Sequence, residues 1–399
     1  MRRRMLIGSA AVAVTIATAI TSVATADLPP VPGTGLVVKD SQPDYAWDSA
    51  YIAQAVSFPS RRSGAILVGT LYGPKNLAAL GKLPAVVVIP PSGGAATQGS
   101  VSYLAKFLAG DGFIGLTVDP QGIGDSDTFG DNACGDMKPG RANPLPCDNV
   151  PYQQMDNFFD AGQSALDFLL GPGNPWRKHV DPHRVGATGH SEGARAATYL
   201  QDPRFDGRVQ AVVALDNLTT SYCGDMGTPS NEGPGGGSGV QNAVINGEPD
   251  CLTQPGDPDF VVRPVAPALG LASDGAGGFG QDAPAGTTAG PPDEKKTAFL
   301  AWRAAGLPSM ELVLAGVNHN QFSQTSTSND ALLHEIALYT DAWFDRWLDH
   351  DDSATGTLTA CSVLGTPLTT LLSTSYRSAV FLSHQTDVED LRAACAASG

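Results

Sequence analysis

The chain has 399 residues, of which 42% are hydrophobic and 16% charged, and its formal net charge is −16. This composition is typical of a globular, enzyme-sized protein. It argues against a nucleic-acid-binding protein, because such a protein needs a basic surface to neutralise phosphates. Binding to an anionic membrane surface is disfavoured for the same reason.

The first 26 residues have the three parts of a secretory signal peptide. Arginines at positions 2–4 precede an apolar run over residues 5–23, and the sequence Ala-Thr-Ala at 24–26 is a small-residue cleavage site. A membrane anchor is the alternative, but the apolar run is short and interrupted by threonines. We therefore expect residues 1–26 to be removed and the protein to be secreted without a membrane anchor, by either the Sec or the Tat route.

The cysteine content agrees with an exported protein. An even number of cysteines in such a chain predicts disulfide bonds. A metal site is the alternative, but no pair of cysteines has the C-x2-C spacing. The connectivity stays open, and the sequential pairing would close three loops of modest length. The three sequential pairs are Cys134 with Cys147, Cys223 with Cys251, and Cys361 with Cys395.

Strand-like segments follow one another along the chain. The run Ala-Val-Val-Val-Ile at 85–89 is continuous and rich in β-branched residues, which is typical of a strand buried on both faces. The predicted strands cover residues 65–72, 85–89, 113–118, 184–188, 209–215, 267–271 and 310–315.

Helical periodicity separates several of these strands and also follows the last one. Apolar residues recur at helical spacing over 100–109, 154–170, 194–200 and 330–349. Alternation of strands and helices predicts an α/β fold with a mostly parallel sheet covered on both faces.

One large domain accounts for most of this pattern. We expect it to span residues 27–350, with loop insertions near 120–150, 217–262 and 275–292, the last two lying in a glycine-rich stretch. Residues 351–399 are expected to form a C-terminal extension that a disulfide bond ties to the domain.

The sequence Gly189-His190-Ser191-Glu192-Gly193 lies between a predicted strand and a predicted helix. This G-x-S-x-G pattern, in this position, is typical of a strained turn that raises a nucleophilic serine above the edge of a sheet. A purely structural turn is the alternative interpretation. The context favours Ser191 as a nucleophile.

A serine hydroxyl needs a base, and in such folds the acid and the histidine follow the serine in the chain. Four histidines come after Ser191, and among them only His319 directly follows a predicted strand. Ligand-binding residues gather at this end of the strands in open α/β sheets. His319 is therefore the predicted base, and a surface histidine is the alternative.

Two aspartates at predicted strand ends are candidates for the acid that orients His319. Asp274 ends the strand before His319, and Asp216 ends the strand before that one. We favour Asp274. The alternative role for Asp216 is that of a surface residue that caps a strand end.

An oxyanion hole requires two backbone N–H groups that face the developing negative charge. The residue after the nucleophile, Glu192, supplies one candidate. The small residues around Gly94, between a buried strand and a helix, supply the other, although a simple tight turn would have the same composition.

The segments that carry these motifs resemble a known family. They are residues 95–113, the turn at 189–193, the strand that ends in Ser273-Asp274, and Gly-Val-Asn-His at 316–319 with a Trp-containing helix and two cysteines after it. Together they resemble secreted α/β-hydrolases, on the branch of dienelactone-hydrolase-like enzymes and bacterial cutinase-like polyester hydrolases. The similarity extends from about Gln54 to Cys361.

The resemblance implies a catalytic triad of Ser191, Asp274 and His319, with Gly94 and Glu192 as the oxyanion donors. Polyester hydrolases of this branch carry an aromatic residue at the position of Gly94 and a methionine at that of Glu192. They also carry a tryptophan beyond the strand that ends here in Asp216-Asn217. The absence of these side chains predicts short or medium acyl chains and poor activity on aromatic polyesters.

Secreted carboxylic ester hydrolysis is the function that these features predict. A peptidase or amidase of the same fold is the first alternative, and a non-catalytic binding protein is the second. We expect a monomer that acts on a small-molecule or polymeric ester and needs neither a metal nor an organic cofactor. A calcium site is one interpretation of a group of acidic residues, but a solvated acidic loop is favoured. The group consists of Asp125, Asp127, Asp131 and Asp136.

Overall fold

A mixed, mostly parallel sheet of ten strands forms the centre of the protein in a computed structural model of the chain. The predicted signal peptide, the cysteines at 134, 147, 223 and 251, and most of the predicted insertions lie outside the described residues. The structure describes residues 51–61, 64–92, 97–127, 155–216, 218–219, 262–274, 294–325 and 329–398.

All the predicted strands are present, although their ends differ by a few residues. The strands are β1 (Tyr51–Pro59), β2 (Ile66–Pro74), β3 (Leu83–Ile89), β4 (Ile114–Val118), β5 (Val180–His190), β6 (Ala211–Leu215), β7 (Ala268–Ser273), β8 (Ser309–Leu314), β9 (Ser362–Val363), β10 (Thr366–Pro367), β11 (Ala379–Ser383) and β12 (Thr386–Val388).

The sheet has the order β1-β2-β4-β3-β5-β6-β7-β8-β11-β12. The six central strands, β4-β3-β5-β6-β7-β8, run parallel to one another. Antiparallel strands complete both edges, β1 and β2 on one side and β11 and β12 on the other. The mostly parallel α/β sheet predicted from the sequence is thus confirmed.

Helices cover both faces of this sheet. Within the described residues, no helix is both long and apolar enough to cross a membrane. A π-helical turn, Asp345–Asp349, continues α5. The helices are α1 (Ser102–Gly110), α2 (Met155–Leu170), α3 (Glu192–Leu200), α4 (Thr297–Ala304), α5 (Asp330–Phe344), α6 (Ala354–Thr359), α7 (Leu368–Leu371) and α8 (Leu391–Ser398).

The central strand β3 shows why both faces are apolar. Val86 and Val88 belong to one hydrophobic cluster, which includes residues of α1 and α5, whereas Val87 and Ile89 belong to another, which includes residues of α2 and α3. Because successive side chains of a strand point to opposite faces, a strand buried on both sides has no polar positions.

The C-terminal extension differs from the expectation. The sequence predicts no strand there, yet β11 pairs with β8 and extends the central sheet. The extension also reaches the carboxyl end of β8, where the N–H of Ala315 donates to the carbonyl of Leu371 over 2.8 Å. The extension is therefore joined to the domain by strand pairing, whereas the disulfide bond that was expected to tie it there links two parts of the extension itself.

The predicted disulfide bond between Cys361 and Cys395 is present, with 5.3 Å between the Cα atoms. It links the segment before β9 to α8, within the extension itself. The other two sequential pairs lie outside the described residues.

Replacing both Cys361 and Cys395 by serine should lower the free energy of unfolding by about 3–4 kcal/mol, because the bond closes a loop over a separation of 34 residues. We expect the melting temperature to fall by several degrees, and calorimetry of the folded variant and the wild type provides the check. An unchanged melting temperature would show that strand pairing alone holds the extension.

Candidate active site

Four polar residues follow four neighbouring parallel strands. Ser191 follows β5, Asp216 follows β6, Asp274 follows β7, and His319 lies in the short 3₁₀ helix after β8. Because these strands are parallel and adjacent, their carboxyl ends meet at one edge of the sheet. Polar groups at this edge are placed where α/β proteins bind ligands.

The backbone of Ser191 is strained. Its φ of 57° and ψ of −119° place it in a left-handed turn between β5 and α3, and its N–H donates to the carbonyl of Leu215. A Cβ atom on Gly193 would lie 2.3 Å from the carbonyl oxygen of Ile89, and one on Gly189 would lie 2.5 Å from Gly193. Glycine at both positions therefore permits the close approach that the turn requires.

Ser191, His319 and Asp216 form a chain of hydrogen bonds. Nε2 of His319 lies 2.9 Å from Oγ of Ser191, and Nδ1 lies 2.8 Å from Oδ2 of Asp216. An ionised carboxylate only accepts, so Nδ1 carries the proton and Nε2 accepts from the serine hydroxyl. The imidazole is thus held in the tautomer that can remove a proton from Ser191.

Asp216 is almost completely buried, with a side chain 3% exposed. It accepts from both the N–H and the hydroxyl of Ser273, over 3.0 and 2.9 Å. Burial by itself raises the pKa of Asp216, but hydrogen bonds from His319 and Ser273 and the charges of His319 and Lys295 outweigh it, so the pKa is lowered. The carboxylate is therefore ionised and fixed in place.

The expectation that Asp274 orients His319 is corrected by this geometry. Oδ1 of Asp274 accepts from the N–H of Gly316 over 2.6 Å, at the start of the loop that carries His319. Asp216 has a φ of 40°, and from this left-handed conformation its carboxylate reaches both β7 and the histidine. Each aspartate thus supports His319, one at the imidazole and one through the loop.

A buried lysine and a buried glutamate lie behind Asp216, and the sequence analysis did not identify them. Nζ of Lys295 donates to the carbonyl of Ser273 over 2.7 Å and stands 4.7 Å from the ring centre of Tyr376. Glu311 on β8 fills the space beside Gly270, where an added Cβ would lie 2.0 Å from its carboxylate. Both residues are only 1% exposed, although their hydropathy would predict a position at the surface.

The two buried groups have opposite electrostatic consequences. The charge of Lys295 lowers the pKa of Asp216. Burial raises the pKa of Glu311 well above its usual value, with the negative charge of Asp216 as the second cause. Burial therefore disfavours the ionised form of Glu311, whereas the charge of Lys295 favours the ionised form of Asp216.

Replacing Lys295 by methionine should lower kcat with little change in KM, because Asp216 then loses its compensating charge and Ser273 loses a hydrogen bond. The matched variant Glu311→Gln keeps the size of the side chain and leaves Lys295 in place, so its kcat should stay near wild type. Kinetic measurements of both folded variants provide the check. Equal losses in kcat would contradict the specific role of Lys295.

His190, the residue before Ser191, packs beneath His319. Its Nδ1 lies 2.8 Å from Oγ of Ser323, and the two imidazole rings are 4.7 Å apart. Burial, with the charge of His319, lowers the pKa of His190 to about 3. A neutral ring therefore supports His319 without competing for its proton.

Glu192 is the first residue of α3, so its N–H lies at the N-terminus of a helix, where a partial positive charge favours an anion. Its side chain is 3.7 Å from Arg195. Gly94 lies outside the described residues. The segment after it is anchored at Gln98, whose N–H donates to Asp119 over 2.6 Å.

The acidic loop considered for calcium is described only in part. Asp127 uses one carboxylate oxygen to accept from the N–H of Ile66 over 2.9 Å, and the N–H of Asp125 donates to Asp119. Asp131 and Asp136 lie outside the described residues. Asp127 therefore has a structural partner in β2.

A comparison with known protein families finds none that matches the chain, and a search of curated proteins finds no match either. The function is therefore inferred from the geometry of the site.

Proposed function

We propose that this protein is a serine hydrolase with an α/β-hydrolase fold, and that it cleaves carboxylic esters through an acyl-enzyme intermediate. The observation that carries the proposal is the hydrogen-bond chain from Ser191 through His319 to Asp216. In this triad Ser191 is the nucleophile, His319 the general base and Asp216 the acid that orients it.

The strained turn at Ser191 supports the fold assignment. A serine with positive φ, between a parallel strand and a helix and flanked by two glycines in close contact, has the geometry of a nucleophile elbow. The order of the three residues in the chain, serine then acid then histidine, is the order found in this fold.

The mechanism has two halves. In the first, His319 takes the proton of Ser191 while Oγ attacks the ester carbonyl, and the protonated imidazole then gives that proton to the departing alcohol. In the second, water loses a proton to His319 and attacks the acyl-enzyme, and the protonated imidazole returns that proton to Oγ of Ser191 as the acid leaves. The N–H of Glu192 stabilises the oxyanion in both halves, with Gly94 proposed as the second donor.

We propose that the protein acts outside the cell. The disulfide bond between Cys361 and Cys395 supports this location, because such bonds persist in oxidising compartments. The predicted signal peptide at 1–26 is consistent with it.

Hydrolysis of p-nitrophenyl esters of graded acyl length, compared with p-nitroanilides, tests the proposed reaction. We expect hydrolysis of short or medium esters, slow release of p-nitroaniline and poor release of product from an aromatic polyester film. Preference for the anilides would identify a peptidase or amidase instead. No turnover of either class would contradict the proposal and favour a binding protein.

A further inference from the structure

Three carboxylates meet where α1 ends and α5 passes into the π-helical turn. Asp111 follows α1, Asp341 lies in α5, and Asp345 begins the π-helical turn. One ligand oxygen of each lies within 4.8 Å of the others. Three acidic groups at this separation repel one another strongly unless protons or a cation lie between them.

Asp341 is the unusual member of this group. Its side chain is buried, with the residue 6% exposed, and its Oδ1 has no hydrogen-bond partner within the described residues. A buried carboxylate without a hydrogen bond or a counter-charge is costly. One carboxylate oxygen of Asp341 lies within 4.8 Å of an oxygen of Asp111 and of Asp345, so a cation held between the three residues would contact this side chain.

The surroundings add negative charge at the same place. The negative charges of Asp349 and Asp351 also raise the pKa of Asp345. The nearby arginines have other partners, because Arg184 pairs with Asp349 and Arg346 with Asp352. Asp111 also lies at the C-terminal end of α1, and this end of a helix favours a cation.

We propose that Asp111, Asp341 and Asp345 form a binding site for a hard divalent cation, Ca²⁺ in particular. Carboxylate oxygens are the ligands that Ca²⁺ prefers, and waters can complete its six to eight positions. Mg²⁺ should bind more weakly, since it demands a near-ideal octahedron that this mixed buried and exposed set does not provide.

The site lies at the opposite end of the sheet from Ser191. Asp111 precedes the amino end of β4, whereas Ser191 follows the carboxyl end of the parallel strand β5. Ca²⁺ bound here joins α1 to the end of α5 without touching the reacting groups. It should therefore change stability and leave the initial rate of hydrolysis unchanged.

Protons are the competing occupants of the cluster. Burial and the neighbouring carboxylates raise the pKa of Asp341 to about 9 and that of Asp345 to about 7, from the usual 3.8.

Thermal unfolding of the full chain, in EDTA and in saturating Ca²⁺ or Mg²⁺, tests the proposal. Ca²⁺ should raise the melting temperature by about 3 °C if it is present at about 100 times its Kd. Titration calorimetry should show one bound Ca²⁺ per chain.

The variants Asp341→Asn and Asp345→Asn should each abolish the Ca²⁺ shift, since each replaces a carboxylate ligand by a neutral amide. Asp345 is only partly buried, so Asp345→Asn is expected to fold even if the buried substitution Asp341→Asn does not. The test can then be made with Asp345→Asn alone. Glu389→Gln, which changes an exposed carboxylate elsewhere, should keep the full response. A melting temperature that is the same in EDTA and in saturating Ca²⁺ would overturn the proposal. A Ca²⁺ shift that persists in both variants would also overturn it.

Discussion

Replacement of Ser191 by alanine is expected to lower kcat for a short-chain p-nitrophenyl ester by about 10⁶-fold, as loss of the nucleophile does in serine hydrolases. The reason is geometric: among the described residues, Oγ of Ser191 is the hydroxyl that lies 2.9 Å from Nε2 of His319. Alanine adopts the same strained backbone at little extra cost, so the melting temperature should change little.

The control for this prediction is a serine outside the site. Ser375 is exposed and lies in the C-terminal extension, so Ser375→Ala should retain the full rate. A folded Ser191→Ala protein that keeps a substantial fraction of the wild-type rate would contradict the assignment of Ser191 as the nucleophile.

The second large effect is expected at Asp216, where replacement by asparagine should lower kcat by about 10⁴-fold. The asparagine side chain can present its amide N–H₂ to His319, which then turns the wrong tautomer toward Ser191. Substitution also removes the negative charge that stabilises the protonated imidazole. Because substrate does not contact this buried residue, KM should change much less than kcat.

The matched variant Asp274→Asn should cost less than about tenfold in kcat, because Asp274 contacts the loop at Gly316 and leaves Nδ1 of His319 to Asp216. Its amide oxygen can still accept from the Gly316 N–H. Measurement of kcat and KM for the two variants decides between the aspartates. A larger loss of kcat in Asp274→Asn than in Asp216→Asn would show that Asp274 is the acid of the triad, as the sequence favoured.

The parts of the site that depend on local pattern could be predicted from the sequence. The glycines around Ser191 and the strand before them are contiguous in the chain, so the turn is visible in a few residues. His319 could be chosen from four histidines because it directly follows a predicted strand. Both predictions use only the rule that parallel strands present their carboxyl ends at one edge of the sheet.

The choice between Asp216 and Asp274 could not be made in this way. Both residues end predicted strands, and the deciding facts are the left-handed backbone of Asp216 and the two hydrogen bonds from Ser273. Those facts depend on how β6, β7 and β8 lie side by side. The serine before Asp274 was the one available signal, because a hydroxyl at a buried strand end needs an acceptor nearby.

The outer strands escaped prediction for a different reason. β1 lies at the edge of the sheet and is mostly exposed or half-buried, and β12 has only three residues, so their sequences carry little of the continuous apolar pattern of buried strands. β11 does carry a short apolar run, but it comes after the long helix that was expected to complete the domain. Strand formation at such positions depends on the neighbouring strand more than on intrinsic preference. Lys295 and Glu311 were missed because charged residues are expected at the surface unless a partner in the folded protein satisfies them.

Labelling with a serine-reactive organophosphonate, followed by peptide mass spectrometry, tests the central proposal most directly. Nucleophilic attack on phosphorus requires the same activated hydroxyl and the same base as attack on an ester. We predict one adduct per chain, on Ser191, formed at a rate that falls sharply in Asp216→Asn and His319→Ala. An adduct on another residue, or an active enzyme that the reagent neither labels nor inhibits, would contradict the account.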